Sequence, residues 1–256
     1  QDTVYVNPGT QFLFDGDYSM TVEGVLHAEG TLSDSIIFTN NEDINLQWKG
    51  IKLYNQNSES ILDFIRISGA QEGLSIQNTI LDSSMVTLNH STISNCDTGI
   101  YVSGSIFNNN IQTQGLTLNH SLISNTISYG IYAEQYSDLA LFDVEIKDGW
   151  RGIRYYDTNV NAQYVSIINH QQMFIHAGLN TNSRFQNTLL DGTGYDDCEV
   201  SGAIRIREES NFLMVNSTIA NFGTEWSYEV GCLGIDNDNN TNPPNFINTI
   251  FHNTLL

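Results

Sequence analysis

Residues 88–95 read LNHSTISN and residues 118–125 read LNHSLISN, so eight consecutive positions recur with one change. Looser copies of this motif begin at Asp143, Gln186, Asn216 and Asn248. Most copies are followed by a loop, a small residue that is usually Gly, and a short apolar stretch. Self-similarity at such a spacing is the signature of a solenoid.

The apolar stretches that follow the motif set the period of the repeat. They start at Ile51, Leu74, Ile100, Ile131, Ile153, Phe174, Ile204 and Ile235, which are 21 to 31 residues apart. Helical solenoids need long amphipathic helices, which no window offers, and left-handed β-helices keep a hexapeptide rhythm that this chain lacks. We therefore predict an all-β fold, a right-handed parallel β-helix of about eight to ten coils.

Side chains alternate within each apolar stretch. The first and third residues, such as Ile131 and Ala133, are nearly all apolar, and we expect them to point inward. The second and fourth, such as Tyr132 and Glu134, are then expected to point outward. Counted from Phe174, the same alternation predicts that His176 lies inward as a core residue.

The polar residues of the repeated motif predict turns whose side chains stack and hydrogen-bond along the solenoid axis. The Asn or Asp that closes each copy is Asn95, Asn125, Asp148, Asp191 or Asn221. His90 and His120 occupy the same position in two copies. We expect these two histidines to stack in a turn rather than to act in catalysis.

Charge excludes two classes of partner. The chain carries nine Lys and Arg against 29 Asp and Glu, a formal net charge of −20. Such a chain has no electrostatic basis for binding nucleic acid, and an anionic membrane surface would repel it. No stretch approaches the roughly 18 apolar residues of a membrane span, so we also predict no direct membrane insertion.

Residues 1–47 differ from the rest, with short strands and tight turns that predict an N-terminal cap together with the first strands. Residues 48–256 read as the coils of a single continuous domain. The sequence stops within a copy of the repeat, whereas a solenoid needs a polar cover on its last coil. We therefore expect no C-terminal cap, and further chain or a protein partner beyond Leu256.

Four motifs carry a resemblance to a known family. VNPGT at 6–10, VEGVLHAEG at 22–30, IIFTN at 36–40 and WKGI at 48–51 precede repeated Gly-Ile-Tyr coils. The chain thereby resembles the pectate-lyase-like right-handed parallel β-helix repeat proteins, and in particular the secreted surface proteins of Bacteroidetes. The resemblance implies an extracellular or cell-surface location and covers nearly the whole chain.

This fold hosts lyases, hydrolases, adhesins and passive stalks, so it does not by itself specify a function. The sequence favours a non-catalytic segment of a larger bacterial surface protein with a structural or glycan-binding, adhesin-like role. Its partners would be polysaccharides or other cell-surface components. The alternative is a polysaccharide lyase or glycoside hydrolase that acts on an extracellular polysaccharide.

The outward positions supply the candidate glycan-binding residues. Tyrosine presents an apolar ring with a polar tip, and Arg a fork of hydrogen-bond donors, which suits sugar rings. The candidates are Tyr54, Tyr101, Tyr132, Arg154, Tyr156, Arg205 and Arg207. The alternative is that Tyr is simply a favourable exposed strand residue.

A basic cluster supplies the catalytic alternative. Lys147, Arg151 and Arg154 are a third of all basic residues and lie within eight positions. On the same sheet face as Glu134 they would provide the base and charge neutraliser of a lyase. The alternative is that they form local salt bridges with neighbouring carboxylates.

No cofactor is required by either interpretation, and calcium is the one that the acidity of the chain suggests. Asp236, Asp238 and Asn240 alternate as the oxygen ligands that open a calcium loop do, but Thr241 and Ile247 replace the Gly and Glu of an EF-hand. The loop is a candidate for a looser calcium site, with a solvated turn as the alternative.

The three cysteines predict one disulfide. Cys198 precedes Ile204 by six residues and Cys232 precedes Ile235 by three, which puts the two thiols near equivalent edges of neighbouring coils. Coils about 5 Å apart match the Cα separation that a disulfide requires. We predict that Cys198 and Cys232 are bonded, as an oxidising exterior permits, and that Cys96 is free.

Overall fold

The computed structural model of the chain describes residues 2–41, 46–54, 58–77, 83–107, 110–193, 203–207, 209–222, 233–235 and 243–254. Within them the chain forms strands and turns and no helix, hence none long and apolar enough to cross a lipid bilayer. The strands are β1 (Thr3–Val6), β2 (Gln11–Phe14), β3 (Ser19–Glu23), β4 (Val25–Glu29), β5 (Ile36–Asn40), β6 (Gly50–Tyr54), β7 (Ser60–Asp63), β8 (Ile65–Ser68), β9 (Glu72–Gln77), β10 (Ser83–Asn89), β11 (Thr92–Ser94), β12 (Thr98–Ser103), β13 (Ser105–Phe107), β14 (Asn110–Ser124), β15 (Tyr129–Glu134), β16 (Ser137–Gly149), β17 (Arg151–Tyr155), β18 (Thr158–His170), β19 (Ile175–Ala177), β20 (Asn182–Gln186), β21 (Leu189–Asp191), β22 (Ile204–Ile206), β23 (Asn211–Val215), β24 (Thr218–Phe222), β25 (Leu233–Ile235), β26 (Asn245–Ile247) and β27 (Ile250–Thr254).

The described strands form two sheets. Nine of them, β3, β6, β9, β12, β15, β17, β19, β22 and β25, form one sheet, in which each strand pairs with the next. The other 18 form the second sheet. Pairings between the described strands are parallel, apart from the hairpin of β13 and β14. Parallel pairing between equivalent strands of successive coils makes the molecule a parallel β-solenoid, so the predicted all-β solenoid is confirmed.

A coil has three sides, two from the larger sheet and one from the nine-stranded sheet, as in β7, β8 and β9. The backbone bends between the two sides of the larger sheet at a residue in the left-handed region. The residues with positive φ at this corner are Phe64, His90, His120, Asp143, Tyr164, Asn187, Asn216 and Asn248. Asn and Asp adopt this conformation more readily than most residues, which explains why polar residues recur at the corner.

The core contains columns of inward side chains, and each coil contributes one residue to each column. Ile51, Leu74, Ile100, Ile131 and Ile153 pair in register and are almost fully buried. Removing this much apolar surface from water supplies the main driving force for folding, at about 25 cal/mol per Å². The alternation that was read from the sequence therefore describes the interior of these coils correctly.

The register corrects two of the predicted strand positions. Ile175, not Phe174, pairs with Ile153, and Leu233, not Ile235, pairs with Ile204. Met173, Phe174 and Ile175 are consecutive apolar residues, so a period of two does not fix the phase there. Leu233 and Ile235 are both apolar and lie two residues apart, so the same period does not distinguish them.

The shift at Ile175 moves His176 as well. His176 pairs with Arg154 on one side and with Arg205 on the other, in an outward column. The prediction that His176 is an inward core residue is therefore wrong, although the side chain is buried.

Side chains along the turns form ladders, as predicted. The Asn169 amide donates to Asp148 at 2.7 Å, and the Asn221 amide donates to Asp191 at 2.8 Å. The rings of His90 and His120 stack with centroids 5.3 Å apart and planes 10° from parallel. These contacts repeat along the axis and hold adjacent coils in register.

Candidate functional site

The outer side of the nine-stranded sheet carries a cluster that we call the Tyr/Arg face. It comprises Tyr101, Tyr129, Tyr132, Glu134, Arg151, Arg154, Tyr156, His176, Arg205 and Arg207. Strand register places Tyr101, Tyr132, Arg154, His176 and Arg205 in a single column along the axis, one per coil. The parallel stack thus brings together residues that are far apart in the sequence.

Glu134 binds two of the tyrosines. The Tyr101 hydroxyl donates to Oε1 of Glu134 at 2.6 Å, and the Tyr132 hydroxyl donates to Oε2 at 2.6 Å. Burial, together with the hydrogen bond to Glu134, raises the pKa of Tyr101 to about 12, and the same causes raise the pKa of Tyr132 further. Both phenols therefore stay protonated at neutral pH, and both oxygens of Glu134 serve as acceptors.

Arg154 is held by three aromatic rings. Its Nε and Nη2 donate to the Tyr156 hydroxyl at 2.9 and 2.5 Å, and its Nη1 donates to the Tyr129 hydroxyl at 2.5 Å. The guanidinium carbon lies 4.9 Å from the centre of the Tyr156 ring and 5.5 Å from those of Tyr129 and Tyr132. At these distances the rings attract the cation and fix its orientation.

Arg151 approaches Tyr129 from the neighbouring position. Its Nη1 donates to the Tyr129 hydroxyl at 2.6 Å and its Nε donates to Oε1 of Gln172. Within the part of the chain that the structure describes, neither Arg151 nor Arg154 forms a salt bridge. Their described partners are phenol and amide oxygens, although the chain contains 29 acidic residues.

The hydroxyls of Tyr129 and Tyr156 accept from these arginines, and each hydroxyl also carries its own hydrogen. A phenol hydroxyl that accepts in this way can still donate its own hydrogen to another acceptor. This side of the face therefore presents hydrogen-bond donors, whereas Glu134 presents acceptor oxygens.

Tyr132 lies at the centre of the aromatic part. Its ring centroid lies 5.6 Å from that of Tyr101, 5.2 Å from that of Tyr129 and 6.5 Å from that of Tyr156. All four rings are partly exposed. The face thus combines a contiguous apolar surface with fixed polar groups.

His176 lies deeper than its neighbours in the column and is only 4 % exposed. Its ring packs edge-on against Tyr156 with centroids 5.4 Å apart. Neither ring nitrogen has a hydrogen-bond partner among the described residues. Burial, followed by the positive charges of Arg154, Arg205, Arg207 and Arg151, lowers the pKa of His176 to about 3, so the ring is neutral.

Two predicted site residues do not join the cluster. Tyr54 points to the same side, but Gln77 and Ser103 separate it from Glu134 along the column, a distance of about 14 Å at the usual strand spacing. Lys147 lies in β16 of the larger sheet, where its Nζ is 2.5 Å from a carboxylate oxygen of Glu145.

The prediction that Lys147 shares a sheet face with Arg151, Arg154 and Glu134 is therefore wrong. The chain passes from the larger sheet to the nine-stranded sheet between Gly149 and Arg151, so neighbours in sequence lie on different sides of the solenoid. Among the described residues, the local salt bridge that was the alternative for the basic cluster is present at Lys147 and absent at the two arginines.

Tyr129 was missed by the period-two analysis, which places it inward with Ile131. The alternation of buried and exposed residues is interrupted in β15, because the consecutive residues Gly130 and Ile131 are both buried. Tyr129 therefore lies on the outer side together with Tyr132. Aligning whole coils would have found it, because Thr98 and Arg151 are its polar counterparts in the register.

The predicted calcium ligands Asp236, Asp238 and Asn240, and the predicted disulfide of Cys198 and Cys232, lie outside the described residues. Among the described residues, no three or more His, Cys, Asp or Glu side chains are arranged to hold a metal ion. Cys96 is a buried free thiol.

Comparisons of this chain with models of protein families, with curated proteins and with solved structures find no match. The parallel β-solenoid fold is established by its strand pairing. Its function is inferred below from the side chains of the Tyr/Arg face.

Proposed function

We propose that this chain is a saccharide-binding segment of an extracellular bacterial surface protein and that the Tyr/Arg face is its binding surface. The observation that carries the proposal is the contact of four tyrosines with Arg151, Arg154 and Glu134 on one side of a parallel sheet. The resemblance to the pectate-lyase-like surface proteins of Bacteroidetes supports the extracellular location.

Saccharide binding suits these side chains chemically. The apolar faces of sugar rings pack on tyrosine, while their hydroxyls need both donors and acceptors. Arg151, Arg154 and the hydroxyl of Tyr156 are donors, and the carboxylate of Glu134 is an acceptor. Equivalent positions recur about every 4.8 Å along the axis, which favours an extended polymer over a compact ligand.

Charge also distinguishes this face from the rest of the protein. Four of the nine basic residues, Arg151, Arg154, Arg205 and Arg207, lie on it, although the chain as a whole has a net charge of −20. A cluster of arginines on one face of an acidic protein is better explained by a ligand than by a contribution to stability. Exposed charge pairs contribute only about 0 to 1 kcal/mol each.

A glycan array followed by calorimetry tests the proposal. We expect the wild-type protein to retain at least one saccharide class, and the separate substitutions Arg154→Ala and Tyr132→Ala to weaken binding about tenfold or more. Arg184→Ala is the matched control, because Arg184 is an exposed arginine of the larger sheet that bonds to Gln186. Retention of no saccharide, or equal losses in Arg154→Ala and Arg184→Ala, would refute the proposal.

The alternative function is a polysaccharide lyase or glycoside hydrolase that uses the same face. The geometry gives it less support, because both oxygens of Glu134 accept from tyrosines and Lys147 lies on another side. Incubation with the retained saccharide should produce neither unsaturated uronate nor new reducing ends. Turnover that Arg154→Ala abolishes would replace the binding role with the enzymatic one.

A further inference from the structure

Among the described residues of the Tyr/Arg face, His176 has both of its ring nitrogens buried and without a hydrogen-bond partner. A buried polar group without a hydrogen bond costs about 1–3 kcal/mol, so such groups usually have a partner in the functional state. Neither ring nitrogen of His176 has one in the part of the chain that the structure describes. The ring nevertheless lies in the outward column, between Arg154 and Arg205.

Within the part of the chain that the structure describes, the charges that act on His176 are those of four arginines. Arg154 of β17 and Arg205 of β22 flank it in the column, Arg151 and Arg207 act on it from the same two coils, and the Tyr156 ring packs on its edge. Protonation of His176 would place a further positive charge beside these arginines. Burial and repulsion by the arginines both disfavour it.

We propose that the Tyr/Arg face binds an oxyanion carried by its saccharide, a carboxylate or a sulfate, and that His176 takes up a proton from solvent when the oxyanion binds. The inference rests on the proposed function and adds to it the class of ligand and its dependence on pH. A bound negative charge beside Arg154 removes the repulsion, and the imidazolium then donates a hydrogen bond that the neutral ring leaves unmade.

The donors of the face fit the same group. Arg151 and Arg154 have no carboxylate partner within the described residues, and their geometry is set by Tyr129, Tyr156 and Gln172. In Arg154 three of the five N–H groups bond to phenols, which leaves one N–H on each Nη for the oxygens of a carboxylate or sulfate. A neutral sugar would supply no counter-ion to these charges.

Proton uptake fixes the direction of the pH dependence. The pKa of His176 is about 3 in the free protein, and an adjacent anion raises it. Affinity should therefore increase as pH falls through the higher pKa of the complex, by at most about tenfold per pH unit for one proton. Carboxylates with ordinary pKa values and sulfates both stay ionised at pH 5, so the ligand itself does not supply this dependence.

Three polymers with one backbone distinguish the ligands: dextran, carboxymethyl-dextran and dextran sulfate. Calorimetry of the wild-type protein at pH 7 and pH 5, in two buffers of different ionisation enthalpy, measures both affinity and the number of protons taken up. We expect an anionic dextran to bind at least tenfold more tightly than dextran, with up to one proton taken up. The two anionic probes tell carboxylate from sulfate.

The variant His176→Phe should remove the proton uptake and flatten the pH dependence, and His176→Asn keeps a polar side chain if the first variant folds poorly. His170→Phe is the matched control, because His170 is equally buried but lies outside the face. Its proton uptake on binding should equal that of the wild type.

Binding of the anionic dextrans without proton uptake, or with uptake that His176→Phe leaves unchanged, would overturn the inference. If saccharides are retained without preference for an anion, the proposed function stands and this inference fails. If no saccharide is retained, both fail.

Discussion

The carbonyl oxygen of Gly152 lies 2.8 Å from the point that a Cβ on Gly130 would occupy. The two glycines belong to adjacent coils, and Ile146 Cγ2 would lie even closer, at 2.5 Å. The repeated glycine before each apolar stretch is therefore a position where one coil approaches the next too closely for a side chain.

We predict that Gly130→Ala destabilises the protein by about 1–3 kcal/mol, because the backbone of the next coil must shift to admit the methyl group. Denaturant unfolding measures the change. Gly16→Ala is the control, since the nearest atoms there belong to the exposed ring of Tyr18, which can move aside. Equal stability of the two variants would contradict the packing argument.

Gly178 should matter for binding through Tyr156. A Cβ on Gly178 would lie 1.8 Å from Cδ1 of Tyr156, so the ring must leave its present position when Ala is introduced. Arg154 then loses two of its three hydrogen bonds in the Tyr/Arg face. We expect Gly178→Ala to weaken retention of the saccharide about tenfold. Tyr164→Ala, at an exposed ring of the larger sheet, should leave it unchanged.

Cys96 should be unreactive in the folded protein. Burial raises its pKa to about 11, so at pH 8 only about one thiol in a thousand is ionised, and no solvent reaches it. Alkylation followed by mass spectrometry should add no label to Cys96 in the native state and one after denaturation.

The same experiment tests the predicted disulfide. Denatured without reductant, the chain should take up one label if Cys198 and Cys232 are bonded and three if they are not. Labelling of Cys96 in the native state would contradict its burial.

His170 makes stability depend on pH. Burial lowers its pKa to about 4, whereas the unfolded chain protonates near 6.5, so the unfolded state binds more protons between these values. Stability should therefore fall as pH decreases from 6.5 to 4, by up to about 3 kcal/mol from this residue. Thermal melting at pH 7 and pH 4.5 should show a smaller difference in His170→Phe than in the wild type. An equal difference would mean that His170 does not contribute.

The sequence predicted those parts of the fold that repeat. Ile131 and Tyr132 alternate in and out because their coil has neighbours with the same pattern, and the His90–His120 stack follows from one position in two copies. It failed where the period of two is ambiguous, at Phe174 and Ile175. The phase there is set by hydrogen bonds to neighbouring coils, which no local pattern contains.

The site was predicted less completely for a related reason. The period of two predicts which residues of each apolar stretch face outward, and it correctly identified Tyr132, Arg154 and Glu134. The expectation for Lys147 failed because spacing along the chain does not show where a coil passes from one side to the next. The hydrogen bonds that leave Arg154 with phenols rather than carboxylates depend on side-chain geometry, which only the structure contains.

Each coil contributes one residue to each column. The number of coils therefore sets the length of the solenoid, while the side chains of particular coils set which ligand it binds. A duplicated coil would extend the rod by about 4.8 Å and leave the chemistry of every other coil unchanged. Two related solenoids that differ by one coil could thus hold the same ligand at positions about 4.8 Å apart along the axis. Tandem duplication, rather than point substitution, is the simplest way for such a protein to change its reach.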